Sequence, residues 1–549
     1  RIYLHDPQPQ YSGKKEVPGL NSPVEIFTDN YGVPHKFAEN ESDLFFAAGY
    51  QTARDRLFQL SLVISASRGT LASFFGNDFL NDDIYLRTWG IHNTAKEILK
   101  KTDQRTLRIL QKTCEGINAR IDELDGKYPI EFKLLGVAPL KINPVDIIAY
   151  GRLMAHDLQQ SWKPEILFGL LLEYFGQEKL NEHFPLYEPF RPTISYKDKY
   201  PNIKLLFSSL WTHEYRIRDL TGSNGVSIGS NSWVVSGKKS TTGKPILAND
   251  PHLKFTQPSK WYEMHLKGGR FNVSGLCLAG IPMPIIGQNE HIAWGLTNSM
   301  VDDMDFFIET INSQNRNQYL YNGKWEGMKI ITETIPLKNN RDTTITVRIT
   351  HHGPIITDVH SLLNEDTVSI SMAWTGNWLT KEIDGLFGLA TSKNWSDFTS
   401  AVKNYGVPGQ NIVYADVEGN IGWRSAVYIP IRKQGSSLIP RPGDDPSYDW
   451  QGRVSYNEMP FLYNPESGYI ATANNKVIDD SFPYYFSGLW ADPSRAQQIV
   501  KRLDTLDNAT VDEMKSVQLD YTSLLSLIHI SEPTRRRGIS YAVFWLKKK

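Results

Sequence analysis

From Glu41 to about Ser67, apolar residues recur near a 3.6-residue period: Leu44, Phe45, Ala48, Leu57, Phe58 and Leu60. That is the period of a helix with one buried face, and Asn40 or Ser42 offers a cap for its start. Arg68-Gly69 closes it. The same period predicts helices over about 93–124, 144–160 and 164–175, the second opened by Pro144, which suits a first helical turn. Ahead of them, residues 23–38 read as two strands about the turn Asp29-Asn30-Tyr31-Gly32.

After Ser230 the texture changes and strand-like runs dominate. Strands are predicted over 233–235, 245–247, 261–266, 271–278, 291–296, 344–349, 368–373 and 411–415, separated by turns such as Thr242-Gly243-Lys244. A helix-rich region, 1–200, therefore precedes a sheet-rich region, 230–523, and the class predicted is α+β. Residues 190–222 are polar, mixed and rich in turn formers, and 201–229 are expected to be a linker or an excised spacer. The last stretch, 524–549, breaks the texture. It is similar to translated adapter sequence at the end of an assembled reading frame, the alternative being a basic tail. On the first reading, the native chain continues past about Ser523 with other residues.

Composition narrows the classes. The 549 residues are 40% hydrophobic and 22% charged, with a net charge of −1. Nothing in that balance favours nucleic acid or an anionic membrane, and no run has the length of a membrane-spanning helix. The two cysteines, Cys114 and Cys277, exclude a disulfide framework and a thiolate zinc site. The chain opens on Arg1 without a visible signal peptide and is read as trimmed.

The seam between the two textures is Ile228-Gly229-Ser230-Asn231-Ser232-Trp233-Val234-Val235. A serine after glycine is usually a turn. Here a strand follows at once, and no Gly-x-Ser-x-Gly elbow stands out as a rival. The expectation is a cut between Gly229 and Ser230. Glycine allows the strained backbone of an N→O acyl shift, and the strand holds the new terminus. A freed α-amine has a pKa of about 7.7–8.0, so near neutral pH it can act as base for its own hydroxyl. His252, after Asn249-Asp250-Pro251, lies where a hairpin would return it to Ser230. Asn411, opening a strand, offers an amide to an oxyanion, and the backbone N–H of Asn298 offers a second donor. The cluster Asp302-Asp303-Met304-Asp305 suits either a solvated turn or calcium, whose distant ligands would include Glu165.

Taken in order, these motifs resemble the penicillin acylase (penicillin amidase) family of N-terminal nucleophile hydrolases. The resemblance rests on Asp29-Asn-Tyr-Gly-Val-Pro-His35, Gly49-Tyr-Gln-Thr-Ala-Arg-Asp-Arg-Leu-Phe-Gln59 and Gly229-Ser-Asn-Ser-Trp233. Asn249-Asp-Pro-His252, Gly287-Gln-Asn-Glu-His-Ile-Ala-Trp-Gly295 and Gln410-Asn-Ile-Val-Tyr-Ala-Asp416 extend it. It implies an αββα sandwich and a β chain beginning at Ser230 as nucleophile, paired with its own α chain. It implies an oxyanion hole of Asn411 and the Asn298 N–H, with His252 just after the nucleophile strand. Leu253 and Ile286 would line the acyl pocket. Asp302, the Met304 carbonyl, Asp305 and Glu165 would hold one structural calcium.

The activity implied is hydrolysis of the side-chain amide of acylated amines such as penicillins, in the periplasm or outside the cell. Two alternatives remain open. One is an acylase of N-acyl homoserine lactones, and the other is a non-catalytic binding protein that keeps the fold.

Overall fold

The computed structural model describes residues 11–183, 203–224, 229–338, 341–359, 368–433, 438–524 and 526. Strands β1 (Glu25–Thr28) and β2 (Pro34–Phe37) lead into helices α1 (Glu41–Arg68), α2 (Ile91–Lys101), α3 (Gln104–Glu123), α4 (Pro144–Leu158), α5 (Trp162–His183) and α6 (Ile203–Leu220). Local chemistry sets their ends. The Asn40 side chain caps α1, which stops at Gly69 with φ of 61°. Asn143 and Asp146 form a reciprocal capping box on α4. The single helix expected over 93–124 is two, because Asp103 caps a new start by accepting from Arg105 N–H.

Within the candidate spacer 201–229, residues 203–220 form α6. Its residues Leu206, Leu210 and Ile217 are buried in the main core. Most of the 524–549 tail lies outside the described residues.

The sheet-rich half begins with β3 (Gly229–Val235) and β4 (Ile246–His252). It continues through β5 (Trp261–Gly268), β6 (Phe271–Leu278), β7 (Ile286–Asn289), β8 (Ile292–Asn298), β9 (Met304–Thr310) and β10 (Val368–Trp374). The last strands that matter here are β11 (Gln410–Asp416), β12 (Ile421–Ala426), β13 (Phe461–Tyr463) and β14 (Tyr469–Thr472). One sheet of nine strands runs β1-β2-β5-β6-β7-β8-β11-β12-β13, antiparallel except where β2 joins β5. A second has the order β14-β3-β4.

Side-chain alternation in β3 builds the layers. Val234 packs with Val413, Ala415, Ile421, Trp423 and Ile470 between the two sheets. Its neighbours Trp233 and Val235 face the other way, onto Ile499 and Leu503 of α7 (Ser494–Asp504) and Met514 and Val517 of α8 (Val511–Gln518). The opposite face of the large sheet, with Trp294, Ile412 and Tyr414, packs on the N-terminal helices through Leu44, Phe45 and Leu110. The layers are thus helix, sheet, sheet, helix, as the αββα expectation has it. Cys114 and Cys277 are both buried and unpaired.

Candidate active site

Ser230 is the second residue of β3, held between the two sheets and only 7% exposed. The register of β3 with β4 puts Pro251 opposite it and His252 opposite Gly229. Asn249 locks the two sheets together: its side-chain N–H bonds go to the Asn231 and Leu296 carbonyls, and its Oδ1 accepts from Leu296 N–H. That clamp brings the end of β8 onto Ser230.

Two donors converge on the hydroxyl. The Asn298 backbone N–H lies 3.3 Å from Ser230 Oγ, and Asn474 Nδ2 lies 3.2 Å from it. Asn474 Oδ1 in turn accepts the Ser230 N–H at 2.7 Å. One amide therefore grips both the backbone nitrogen and the hydroxyl of the same serine. Asn474 is fixed further by its Nδ2 bond to the Asn298 carbonyl and by Arg495, whose Nη2 lies 3.0 Å from its Oδ1. Arg495 Nη1 also reaches the Ser230 carbonyl at 3.1 Å and Asn231 Oδ1 at 2.6 Å.

The donors rest on a buried scaffold. The Asn298 side chain donates to the Leu158 carbonyl at the end of α4. Next to it, Asp157 receives Ser223 Oγ, Thr221 Oγ1 and Lys260 Nζ. Burial by itself would raise the Asp157 carboxyl, but the Lys260 charge beside it, with His156 and Arg218, holds it well below the usual range. We take the pair as ionised. It ties α4 to the residue preceding β5 and fixes the carbonyl that holds Asn298.

Of the residues expected from the sequence, Asn298 places its backbone N–H 3.3 Å from Ser230 Oγ. Asn411 does not join it. Fully buried in β11, it donates to Thr297 Oγ1 and accepts from Trp423 Nε1, so its amide is committed to sheet packing. Asn474 stands where Asn411 was expected. The two share a residue type and a place beside a strand, and nothing in linear spacing separates them, since Asn474 is 244 residues from Ser230. His252 lies beside β3, opposite Gly229, but its ring is turned to Asp250 Oδ2 at 2.9 Å. Leu253 and Ile286 line a cavity of about 550 Å³ that opens on Ser230, Asn298 and Asn474. Ile148, Met154 and Leu296 add to its apolar wall.

A family model described as penicillin amidase matches residues 23–528. The chain belongs to the penicillin amidase family. Among its relatives, the acyl-homoserine lactone acylase QuiP of Pseudomonas aeruginosa is 28% identical over 531 residues, which are 94% of this chain and 63% of that protein. Penicillin G acylase of Escherichia coli is 28% identical over 90% of this chain and 64% of its own length. Penicillin acylase 2 proenzyme of a Pseudomonas species is 28% identical over 94% of this chain and 66% of its own. The chain thus spans a little under two thirds of these relatives. A thermostable penicillin G acylase from Alcaligenes faecalis aligns over 52% of this chain and 51% of its own, with 28% identity and a TM-score of 0.46.

Of the acidic residues that the family resemblance links to calcium, Glu165, Asp302 and Asp305 lie near one another, with one addition. Glu165 of α5, Asp302 and Asp305 are all buried, and Glu165 Oε1 accepts from Phe306 N–H. Arg432 enters the same cluster. Its Nε lies 2.8 Å from Asp305 Oδ2, and its Nη2 lies 3.0 Å from the Asp302 carbonyl. Trp450 Nε1 also donates to Asp305, and Tyr485 donates to Asp302. Two features bear on whether a divalent cation is held there. Three buried carboxylates outweigh one guanidinium, and Glu165 Oε2 is buried without a hydrogen-bond partner among the described residues. Burial, then the nearby Asp305, push the Glu165 carboxyl well above its ordinary range.

Proposed function

We propose that this chain carries the catalytic centre of an amidohydrolase that activates itself by cutting the bond between Gly229 and Ser230. One observation carries the reading: Ser230 Oγ is met by two N–H donors, from Asn298 and Asn474, at the mouth of an apolar cavity. In the continuous chain, Oγ attacks the Gly229 carbonyl carbon. The peptide C–N bond breaks and the acyl group moves to oxygen as an ester. Water then releases the Gly229 carboxylate and leaves Ser230 with a free amine.

The same atoms then serve turnover. The neutral amine, oriented by Asn474 Oδ1, takes the hydroxyl proton as Oγ attacks the substrate's amide carbonyl. Asn298 N–H and Asn474 Nδ2 bind the developing oxyanion. The amine product leaves with that proton, and water hydrolyses the acyl ester. Arg495 holds Asn474 in place and compensates charge beside the strand. An apolar acyl group fits against Leu253, Ile286, Met154 and Ile148. The substrates in view are acylated amines of the penicillin type and N-acyl homoserine lactones.

Cleavage would leave an α and a β chain held together by the buried contacts between helix layer and sheet. Glu165, Asp302, Asp305 and the Met304 carbonyl would hold a calcium ion, which supplies charge neutralisation where helix α5 meets strand β9.

The test is Ser230→Ala in the full-length protein. Wild type should run as two chains on a denaturing gel, with a new N-terminus reading Ser-Asn-Ser-Trp, and should release acid from acyl amides. Ser230→Ala should run as one inactive chain. Cleavage that persists in Ser230→Ala overturns the reading. A wild type that binds acyl amides yet stays whole and inert points instead to a binding protein.

A further inference from the structure

Beyond Ser230, one cluster of side chains has the geometry of a metal site. The chain leaving strand Asp342–Ile349 carries His351 and His352 side by side, facing Asp449 from a distant loop. Each imidazole is held at Nδ1 by an outer partner. His352 Nδ1 lies 2.9 Å from Glu309 Oε1, and His351 Nδ1 lies 2.9 Å from the Tyr319 hydroxyl. Both rings turn Nε2 toward one oxygen, Asp449 Oδ1, at 3.0 Å from His352 and 3.5 Å from His351. The second Asp449 oxygen accepts the Tyr321 hydroxyl at 2.6 Å. The Phe307 ring stacks on His352 at 3.7 Å, with 6° between planes, and fixes its orientation.

We propose that His351 Nε2, His352 Nε2 and Asp449 Oδ1 form a binding site for a zinc-class divalent cation, with water as the fourth ligand. Four ligands at about 2.0–2.1 Å from zinc in a tetrahedron lie roughly 3.3 Å from one another. The two separations above bracket that value, and all three ligand atoms lie within 4.8 Å of one another. The outer partners are those a metal-bound imidazole requires: a carboxylate and a hydroxyl oxygen accept the Nδ1–H bonds, which leaves each Nε2 lone pair for the ion. Two imidazoles and one carboxylate select a borderline cation of the zinc type over calcium or magnesium, which prefer all-oxygen shells.

Access is through His351, whose side chain is 32% exposed against 4% for His352. The ion would pin the turn after Ile349 to the loop holding Asp449. The neighbouring residue, Trp450, already donates to Asp305 of the acidic cluster, so the two cation sites would brace one segment from both sides.

The test uses full-length protein stripped with a chelator and titrated with Zn²⁺, and separately with Co²⁺, whose visible absorption reports nitrogen and oxygen ligation. Wild type should take up one equivalent with a tetrahedral Co²⁺ spectrum. His351→Gln and Asp449→Asn should weaken binding at least about tenfold, since loss of an outer partner alone costs that much. His351 is the most exposed of the three, so His351→Gln is the variant that keeps the fold. Tyr319→Phe, which spares all three ligands, should give a smaller loss. The proposal is overturned if wild type shows no saturable one-to-one uptake. It is equally overturned if His351→Gln and Asp449→Asn bind as tightly as wild type, which would place the ion on others of the 13 histidines.

Discussion

Asn474 adopts a φ of 63°, a left-handed conformation that few residues other than glycine tolerate. That backbone turn aims its amide back at Ser230, and Arg495 and the Asn298 carbonyl keep it there. Asn474→Ala removes one of two donors to the developing oxyanion. Turnover should fall by about 10²–10³, with KM changed far less, and self-cleavage should slow as well. Steady-state kinetics on acyl amides check this, and an unchanged kcat would remove Asn474 from the site. Serine at a chain seam and the backbone donor of Asn298 were legible as residues in a local pattern. The choice of Asn474 over Asn411 was not, because it depends on where two separate strands end in space.

Among the elements, the long helices α1 and α3 show how close contact is encoded. They cross where Gly49 and Gly116 let backbones touch: a Cβ on Gly116 would sit 1.9 Å from the Phe46 carbonyl oxygen, and one on Gly49 would sit 2.0 Å from that of Thr113. Backbone cannot retreat as a side chain can. Gly116→Ala should therefore destabilise by at least the 1–3 kcal/mol typical of overpacking. Thermal unfolding should show a clearly lowered Tm, and an unchanged Tm would mean that the helices separate freely.

The elements themselves were largely readable. Asn40, Asn143 and Pro144 marked helix starts, and the apolar run Trp233-Val234-Val235 marked a strand. The break at Asp103 and the helix α6 were missed. One turns on a single capping bond, and the other on an apolar stripe diluted by exposed Trp211 and Tyr215.

Across the whole molecule, the proposed calcium ion would join the helical half, through Glu165, to the sheet-rich half, through Asp302 and Asp305. Chelation should therefore lower Tm, and added Ca²⁺ should restore it through preferential binding to the folded state. A Tm indifferent to chelation would leave Arg432 as the sufficient counter-charge for Asp305.

What the sequence determined by itself was everything that depends on near neighbours. It carried the change from a helix-rich to a strand-rich texture at Ser230, the helix caps, the glycine before Ser230 and the run of acids at 302–305. Those signals are local because hydrogen bonding and side-chain direction repeat over a few residues. Only the tertiary structure decided which distant groups meet. It brought Asn474 and Arg495 to Ser230, committed Asn411 to Thr297 and Trp423, and placed Arg432 among the acids. It also faced His351 and His352 to Asp449. Such meetings depend on sheet register and layer packing, which sum over the entire chain and leave no period along it.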